Sequence, residues 1–246
     1  MEGLDWLTAR PVAHRGLHGK GVPENSLSAA AAALAANYAI EVDLQLSKDG
    51  EVIVFHDDTL ERLTTETGLV AARTAAELAK IKLGASNDTI PSLADLLKLV
   101  AGKTPLVLEL KSPWNGDTSL AKKVATQLLN YAGPVAVMSF DPDLVAALKF
   151  HAPGLPRGIV AERWYGYKDW DFLSRGRKHA LGLLLHIFRT KPHFVAYAQF
   201  DLPAAAPLIA RFLFGMPLLT WTVRTEKERS RVSRWANQLI FEHIRP

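Results

Sequence analysis

Short apolar runs alternate with helix-patterned stretches along almost the whole chain, and that alternation limits the possible folds more than any other feature. Residues 11–14 read as a first strand. Asn25 or Ser26 can cap an alanine-rich helix over 27–36. Ala39–Leu46 reads as a second strand, and Ser47-Lys48-Asp49-Gly50 has turn chemistry, which makes 51–56 an extra strand folded back against its end. Thr74 and Ser92 read as caps for helices over 75–83 and Leu93–Val100. Residues 105–111, 135–140, Arg157–Ala161, 193–199, Leu218–Val223 and 238–242 supply six further strands. Helices are expected over 118–131, over 143–150 behind Pro142, and over 225–235. Eight strands separated by helices predict an α/β fold, a parallel (β/α)8 TIM barrel with a small insertion after strand two. One domain over 9–246 is expected, with the insertion at about 47–104. An open doubly wound sheet is the alternative, and the chain lacks its glycine-rich fingerprint.

Composition narrows the chemistry. The chain has no cysteine, which excludes disulfides, thiolate metal sites and cysteine nucleophiles. A net charge of +4 does not indicate a nucleic-acid binder, while the basic balance mildly favours anionic substrates or an anionic membrane surface. No run approaches the roughly 20 apolar residues that span a bilayer. Met1-Glu2-Gly3-Leu4-Asp5-Trp6 does not read as a signal peptide. A cytoplasmic protein is expected.

The charged residues fall where a barrel places its chemistry, at the C-terminal ends of strands. Glu41 and Asp43 are two apart and share one strand face. His14 and Arg15 end the first strand, His56 ends the inserted one, and Glu109 and Lys111 repeat the two-residue spacing at the end of the third. Ionisable groups inside strand ends are costly to bury unpaired, and convergence at the barrel mouth accounts for all of them as a metal-assisted phosphate site. Each has a blander reading alone. His14-Arg15-Gly16 can be a surface loop, Glu41 and Asp43 the outer face of an edge strand, Glu109 with Lys111 a simple ion pair, and Trp221 barrel packing. Ile40, Val42 and Leu44 around the two acids favour a buried strand. Asp57 and Asp58 read as turn residues, with Asp57 able to orient His56; the other six histidines read as structural or solvated.

The ordered set His14-Arg15-Gly16, Pro23-Glu24-Asn25-Ser26, Glu41-Val42-Asp43, Lys48-Asp49-Gly50 to His56-Asp57, and Glu109-Leu110-Lys111 resembles the glycerophosphodiester phosphodiesterase family. Ser139-Phe140 and Trp221-Thr222-Val223 are weaker matches. The tail departs from the family pattern, with Glu242 where an aspartate is usual. The resemblance implies a divalent metal on Glu41, Asp43 and Glu109, a hard oxygen site suited to Mg2+, Ca2+ or Mn2+. It implies phosphate binding by Arg15 and Lys111, acid–base work shared by His14 and His56, and substrate contacts from Glu24 and Trp221. The implied reaction is hydrolysis of a small glycerophosphodiester to glycerol 3-phosphate and an alcohol. Lysophospholipase D-type cleavage and a catalytically silent binder of phospholipid headgroups are the alternatives. Residues 163–191 mix aromatic, apolar and basic side chains, which suits either a barrel helix burying one face or peripheral contact with a membrane surface. Arg211-Phe212-Leu213-Phe214 is open to the same two readings. Oligomeric state is left open.

Overall fold

The computed structural model describes residues 3–246; Met1 and Glu2, which entered the N-terminal reading, lie outside the described residues. Nine strands run in chain order: β1 (Val12–Ala13), β2 (Ala39–Leu46), β3 (Val52–Val54), β4 (Leu106–Leu110), β5 (Val135–Ser139), β6 (Arg157–Ala161), β7 (Phe194–Ala198), β8 (Leu218–Val223) and β9 (Gln238–Phe241). The sheet order is β1-β9-β8-β7-β6-β5-β4-β2-β3. β1 pairs in parallel with both β2 and β9, which closes eight parallel strands into a barrel. β3 lies outside the closed ring, antiparallel to the end of β2. The expected TIM barrel and its extra strand are thus present.

The two-residue period of the strands sorts their side chains into two cores. Ile40, Val42 and Leu44 of β2 and Leu106, Leu108 and Leu110 of β4 face outward beneath the helices. Val12, Ala39, Val107, Ala136, Met138, Val160, Phe194, Ala196, Leu219 and Ile240 fill the barrel interior. Ala39 and Val107 therefore define the inward rows of β2 and β4, and Glu41, Asp43 and Glu109 continue those rows toward the mouth.

The described helices are α1 (Asp5–Thr8), α2 (Leu27–Ala35), α3 (Ala75–Leu78), α4 (Leu93–Val100), α5 (Ser119–Leu128), α6 (Pro142–His151), α7 (Arg175–Gly182), α8 (Ile187–Thr190), α9 (Ala205–Phe212) and α10 (Glu226–Val232). Ser26, Thr74, Ser92 and Thr225 cap their helices with side-chain oxygens, and the last three form capping boxes with Glu77, Asp95 and Glu228. α3 is shorter than the expected helix over 75–83. Ile81 and Leu83 instead reach a satellite core with Phe55, Leu60, Val70 and Ile90 through a turn. Thr118 makes no side-chain cap for α5; Asp117 accepts the Ser119 N–H instead. α1, which has no counterpart among the expected elements, places Leu7 in the interior core beside Val12. Among the described residues, no helix is long and apolar enough to cross a membrane.

Gly158 of β6 pairs with Phe194 of β7, and a Cβ there would lie 2.3 Å from the Phe194 ring. Gly158→Ala is expected to cost about 1–3 kcal/mol in urea denaturation. Adding Phe194→Leu should recover part of that loss; additive losses would contradict the account.

Candidate active site

The strand register brings the acids together. Asp43 of β2 and Glu109 of β4 are direct neighbours across the parallel pair, and Glu41 sits one inward position before Asp43. Glu41, Asp43 and Glu109 each offer an oxygen, and these atoms all lie within 4.8 Å of one another. Glu41 and Asp43 are 1% exposed and Glu109 8%, so water does little to separate the charges.

Cations and one amide offset part of that repulsion. The Lys111 Nζ lies 3.0 Å from Glu109 Oε1 and 3.5 Å from Asp43 Oδ1. The Arg15 Nε lies 3.2 Å from Asp43 Oδ2. Asn25 donates through Nδ2 to Asp43 Oδ2 at 2.9 Å and accepts the Asp43 N–H at 3.1 Å. Arg15 also donates its backbone N–H to Glu41 Oε2 at 2.9 Å. Arg15 and Asn25 both hold a φ of 55°, a left-handed backbone that costs an ordinary L-residue roughly 1–2 kcal/mol. Gly16 follows at φ 77°, and a Cβ there would meet Ala29 of α2 at 2.8 Å. The turn after β1 is thus pressed against α2 while it aims Arg15 at the acids.

Electrostatics set the acids of the cluster apart. Burial pushes the Glu41 carboxyl well above its usual range, reinforced by Asp43 and Glu109. Asp43 moves the other way: burial would raise it, but Lys111, His56 and Arg15 outweigh burial and hold it ionised. Burial works against the Lys111 charge, yet Glu109 and Asp43 raise its pKa. Glu41 Oε1 is buried with no hydrogen-bond partner. Three close carboxylate oxygens, one of them an orphaned acceptor, suit a hard divalent cation.

The two sequence-selected histidines are held differently. The His56 Nδ1 lies 2.6 Å from Asp57 Oδ1, and Asp57 is gripped by Arg62 at 2.5 Å. Arg62 also binds both oxygens of Glu24 at 2.8 and 3.0 Å. Glu24 in turn takes the Arg15 Nη1 at 2.6 Å, so it braces two arginines behind the cavity. His14 sits with Nε2 4.0 Å from Glu41 Oε2 and Nδ1 3.5 Å from Glu242 Oε1. Burial lowers the His14 pKa, partly offset by Glu242. Glu242 also meets His18 at 3.0 Å and the Arg224 Nε at 2.6 Å. Asn25, Arg62, His18 and Arg224 were given no site role from the sequence. Asn25 alone lay inside a recognised motif; the other three reach the site only through tertiary contacts.

Two adjoining cavities open at this face. The smaller, about 250 Å3, is lined by His14, Arg15, Glu41, Asp43, Glu109 and Lys111 among others. The larger, about 550 Å3, shares His56, Glu109, Lys111, Phe140, Tyr167 and Trp221 with it. Trp221 packs edge-on to Phe140 at 5.4 Å, and its Nε1 is buried without a partner.

A closed parallel barrel carrying a buried acidic triad, flanking cations and two histidines at the strand ends defines a phosphate-processing site. The comparisons with known proteins agree: the model of the glycerophosphoryl diester phosphodiesterase family matches residues 14–243, and the chain belongs to that family. A glycerophosphodiester phosphodiesterase from Caldanaerobacter subterraneus subsp. tengcongensis is 33% identical over 231 residues, covering 90% of this chain and 88% of the relative. The fold is shared with an Oleispira antarctica phosphodiesterase solved in complex with its product sn-glycerol-3-phosphate, at TM-score 0.79 and 21% identity over 96% of this chain and 94% of that one. It is also shared with a glycerophosphodiester phosphodiesterase from Thermotoga maritima, at TM-score 0.72 and 23% identity over 94% of both chains.

Glu242 gives a pH test of this network. Burial opposes its charge, but His14, His18 and Arg224 overcome burial and bring its pKa well below the ordinary glutamate value. The folded state therefore binds this proton less tightly than the unfolded chain. The stability Glu242 contributes is full above the unfolded pKa of roughly 4.3 and is lost as pH falls through lower values. In urea denaturation, the stability gap between wild type and Glu242→Gln should narrow from pH 5 to pH 3. A gap that stays constant contradicts the assignment.

Proposed function

We propose that this protein is a metal-dependent phosphodiesterase that hydrolyses a small glycerophosphodiester to glycerol 3-phosphate and an alcohol. The observation that carries the reading is the convergence of Glu41, Asp43 and Glu109 with Arg15, Lys111, His14 and His56 around one polar cavity. Glu41, Asp43 and Glu109 would hold one divalent ion, Mg2+ or Ca2+ with Mn2+ also suited. When bound, such an ion draws negative charge from phosphate oxygens and glycerol hydroxyls.

Arg15 presents a planar guanidinium beside the triad and Lys111 a point charge, and together they seat the phosphate. Glu24 acts through Arg15 and Arg62, fixing the guanidinium rather than touching substrate. Trp221, on the wall common to both cavities, bounds the substrate. His14 lines the smaller cavity alone, whereas His56 lines both. On that geometry His14 takes the proton from the attacking hydroxyl, either of water or of the glycerol, as the new P–O bond forms. His56 returns a proton to the departing alkoxide as the old P–O bond breaks. The carboxylate of Asp57 on Nδ1 orients the ring and leaves Nε2 of His56 facing the reaction. Glu242 holds the His14 ring in place. A complete acid–base and ligand set speaks against a silent headgroup binder.

A second feature bears on where the substrate is met. Trp164, Tyr167 and Phe172 follow β6 and Phe200 follows β7, so all four lie on the strand-end face that carries the site. Each is at least half exposed, and Arg163, Lys168 and Arg175 lie among them in sequence. This is the chemistry of peripheral contact with an anionic membrane surface, and it would admit lysophospholipids to the site. Phe212 and Phe214 do not share the face, because they precede β8 at its opposite end.

Glycerol 3-phosphate release from glycerophosphodiesters with Mg2+, Ca2+ or a chelator tests the reading. Release should require metal, and His14→Ala and His56→Ala should each lower kcat by about a hundredfold or more with the fold intact. Full activity under chelation, or a loss below about tenfold in a histidine variant, would contradict the corresponding role. In a separate sedimentation assay, anionic vesicles should retain wild type more than a Trp164→Ser/Phe172→Ser variant; equal retention would remove the membrane reading.

A further inference from the structure

We propose that the larger cavity is a cage for a cationic alcohol, so that the preferred leaving group carries a quaternary ammonium, as in glycerophosphocholine. This rests on the phosphodiesterase reading and adds the class of alcohol to it. The division between the cavities orients the substrate. The smaller one holds the acidic triad with Arg15 and Lys111, beside Phe140, Tyr167, Phe200 and Trp221, and its charged end suits the hydroxyl-bearing glycerol and the phosphate. The larger adjoins it at His56, the residue placed at the leaving oxygen, so the alcohol extends there.

Its walls are aromatic. Trp114, Phe140, Tyr167, Trp170, Phe172 and Trp221 line it, and all but Tyr167 pack against one another. Trp170 packs on Phe140 at 5.1 Å, on Trp114 at 5.8 Å and on Phe172 at 6.2 Å between ring centroids. Aromatic faces carry negative potential and attract cations, most strongly where water is displaced. The protein already uses one of these rings in that way, because the Arg177 guanidinium lies 5.2 Å from the Trp114 centroid.

The charged groups of the cavity point the same way. Asp57, Asp58, Glu109, Glu162 and Asp169 line it against one lysine, Lys111. Asp57 is paired with Arg62 and Glu109 with Lys111. Among the described residues, Asp58, Glu162 and Asp169 take part in no ion pair. Glu162 is only 3% exposed. Burial, with help from Asp201, carries its pKa to about 7, and a cation seated beside it would favour the ionised form. An acyl chain would gain from the rings but would strand this carboxyl against hydrocarbon. A neutral polyol would hydrogen-bond the acids but leave their charge uncompensated. A trimethylammonium group matches both, with methyl groups against the rings and diffuse charge toward the acids.

The test compares kcat/KM for glycerophosphocholine, its uncharged isostere with a 3,3-dimethylbutyl ester, glycerophosphoglycerol and lysophosphatidylglycerol, whose acyl chain sits on the glycerol and whose leaving alcohol is uncharged. The choline ester should exceed the isostere by about tenfold, and Trp170→Leu and Glu162→Gln should each reduce that ratio toward one. Tryptophan fluorescence of the wild-type protein, titrated with choline and with 3,3-dimethylbutanol, reads the cage without turnover and without variants. Choline should bind more tightly than the neutral alcohol. Equal kcat/KM for ester and isostere, a faster polyol ester, or a faster lysophosphatidylglycerol would overturn the proposal while leaving the phosphodiesterase reading intact. Absence of glycerol 3-phosphate release from every diester would overturn that reading instead, and the fluorescence titration would then judge the cage alone.

Discussion

Three carboxylates buried within 4.8 Å of one another set the terms for the rest of the barrel mouth. Mutual repulsion and lost hydration both oppose the arrangement, and a barrel with marginal overall stability tolerates it only with compensation. The compensation is visible in layers. Lys111, Arg15 and Asn25 touch the acids, and Glu24 and Arg62 hold Arg15 and Asp57 from behind. The left-handed residues Arg15 and Asn25 show that the backbone itself is bent to serve this contact. Even so, one carboxylate oxygen of Glu41 keeps no partner. A divalent cation completes such a set more naturally than another side chain does.

The same face separates two kinds of chemistry. The acidic triad, Arg15 and Lys111 meet in the smaller cavity, where a phosphate and its glycerol would be gripped. Aromatic groups are more numerous in the larger, on loops after β4, β5 and β6 and on β8 itself. In a barrel, strand ends provide rigid positions for reacting groups and loops provide room for variation. The triad and Lys111 lie in or beside β2 and β4, whereas Trp114, Tyr167, Trp170 and Phe172 lie on connections. That split is the expected one for an enzyme whose reaction is shared and whose alcohol is particular.

Much of this was legible in the sequence for identifiable reasons. The i, i+2 spacing of Glu41 and Asp43, and of Glu109 and Lys111, survives into the fold because strand geometry is local. Ala39 and Val107 fix which face those residues take, and both are small enough to fill a barrel interior. Other parts depend on contacts distant in sequence. Glu242 meets His14 and His18 only because β9 closes against β1. Arg62 reaches Glu24 from the excursion after β3. The aromatic segment within 163–191 stands out in the sequence, but its part in lining a cavity does not, because residues 163–174 fold mostly as irregular backbone and their side chains converge without a regular period. α3 ended early for a related reason: Ile81 and Leu83 are apolar because a satellite core needs them, not because a helix continues.

The measurement that bears most directly on the central claim is calorimetric titration of the metal-free protein with Mg2+, Ca2+ and Mn2+, beside Asp43→Asn and Glu109→Gln. The account predicts one site per chain for at least one of these ions, weakened tenfold or more in either variant while thermal unfolding shows an intact fold. Binding of equal strength in wild type and both variants, or none in any of them, would show that the buried triad is not a metal centre.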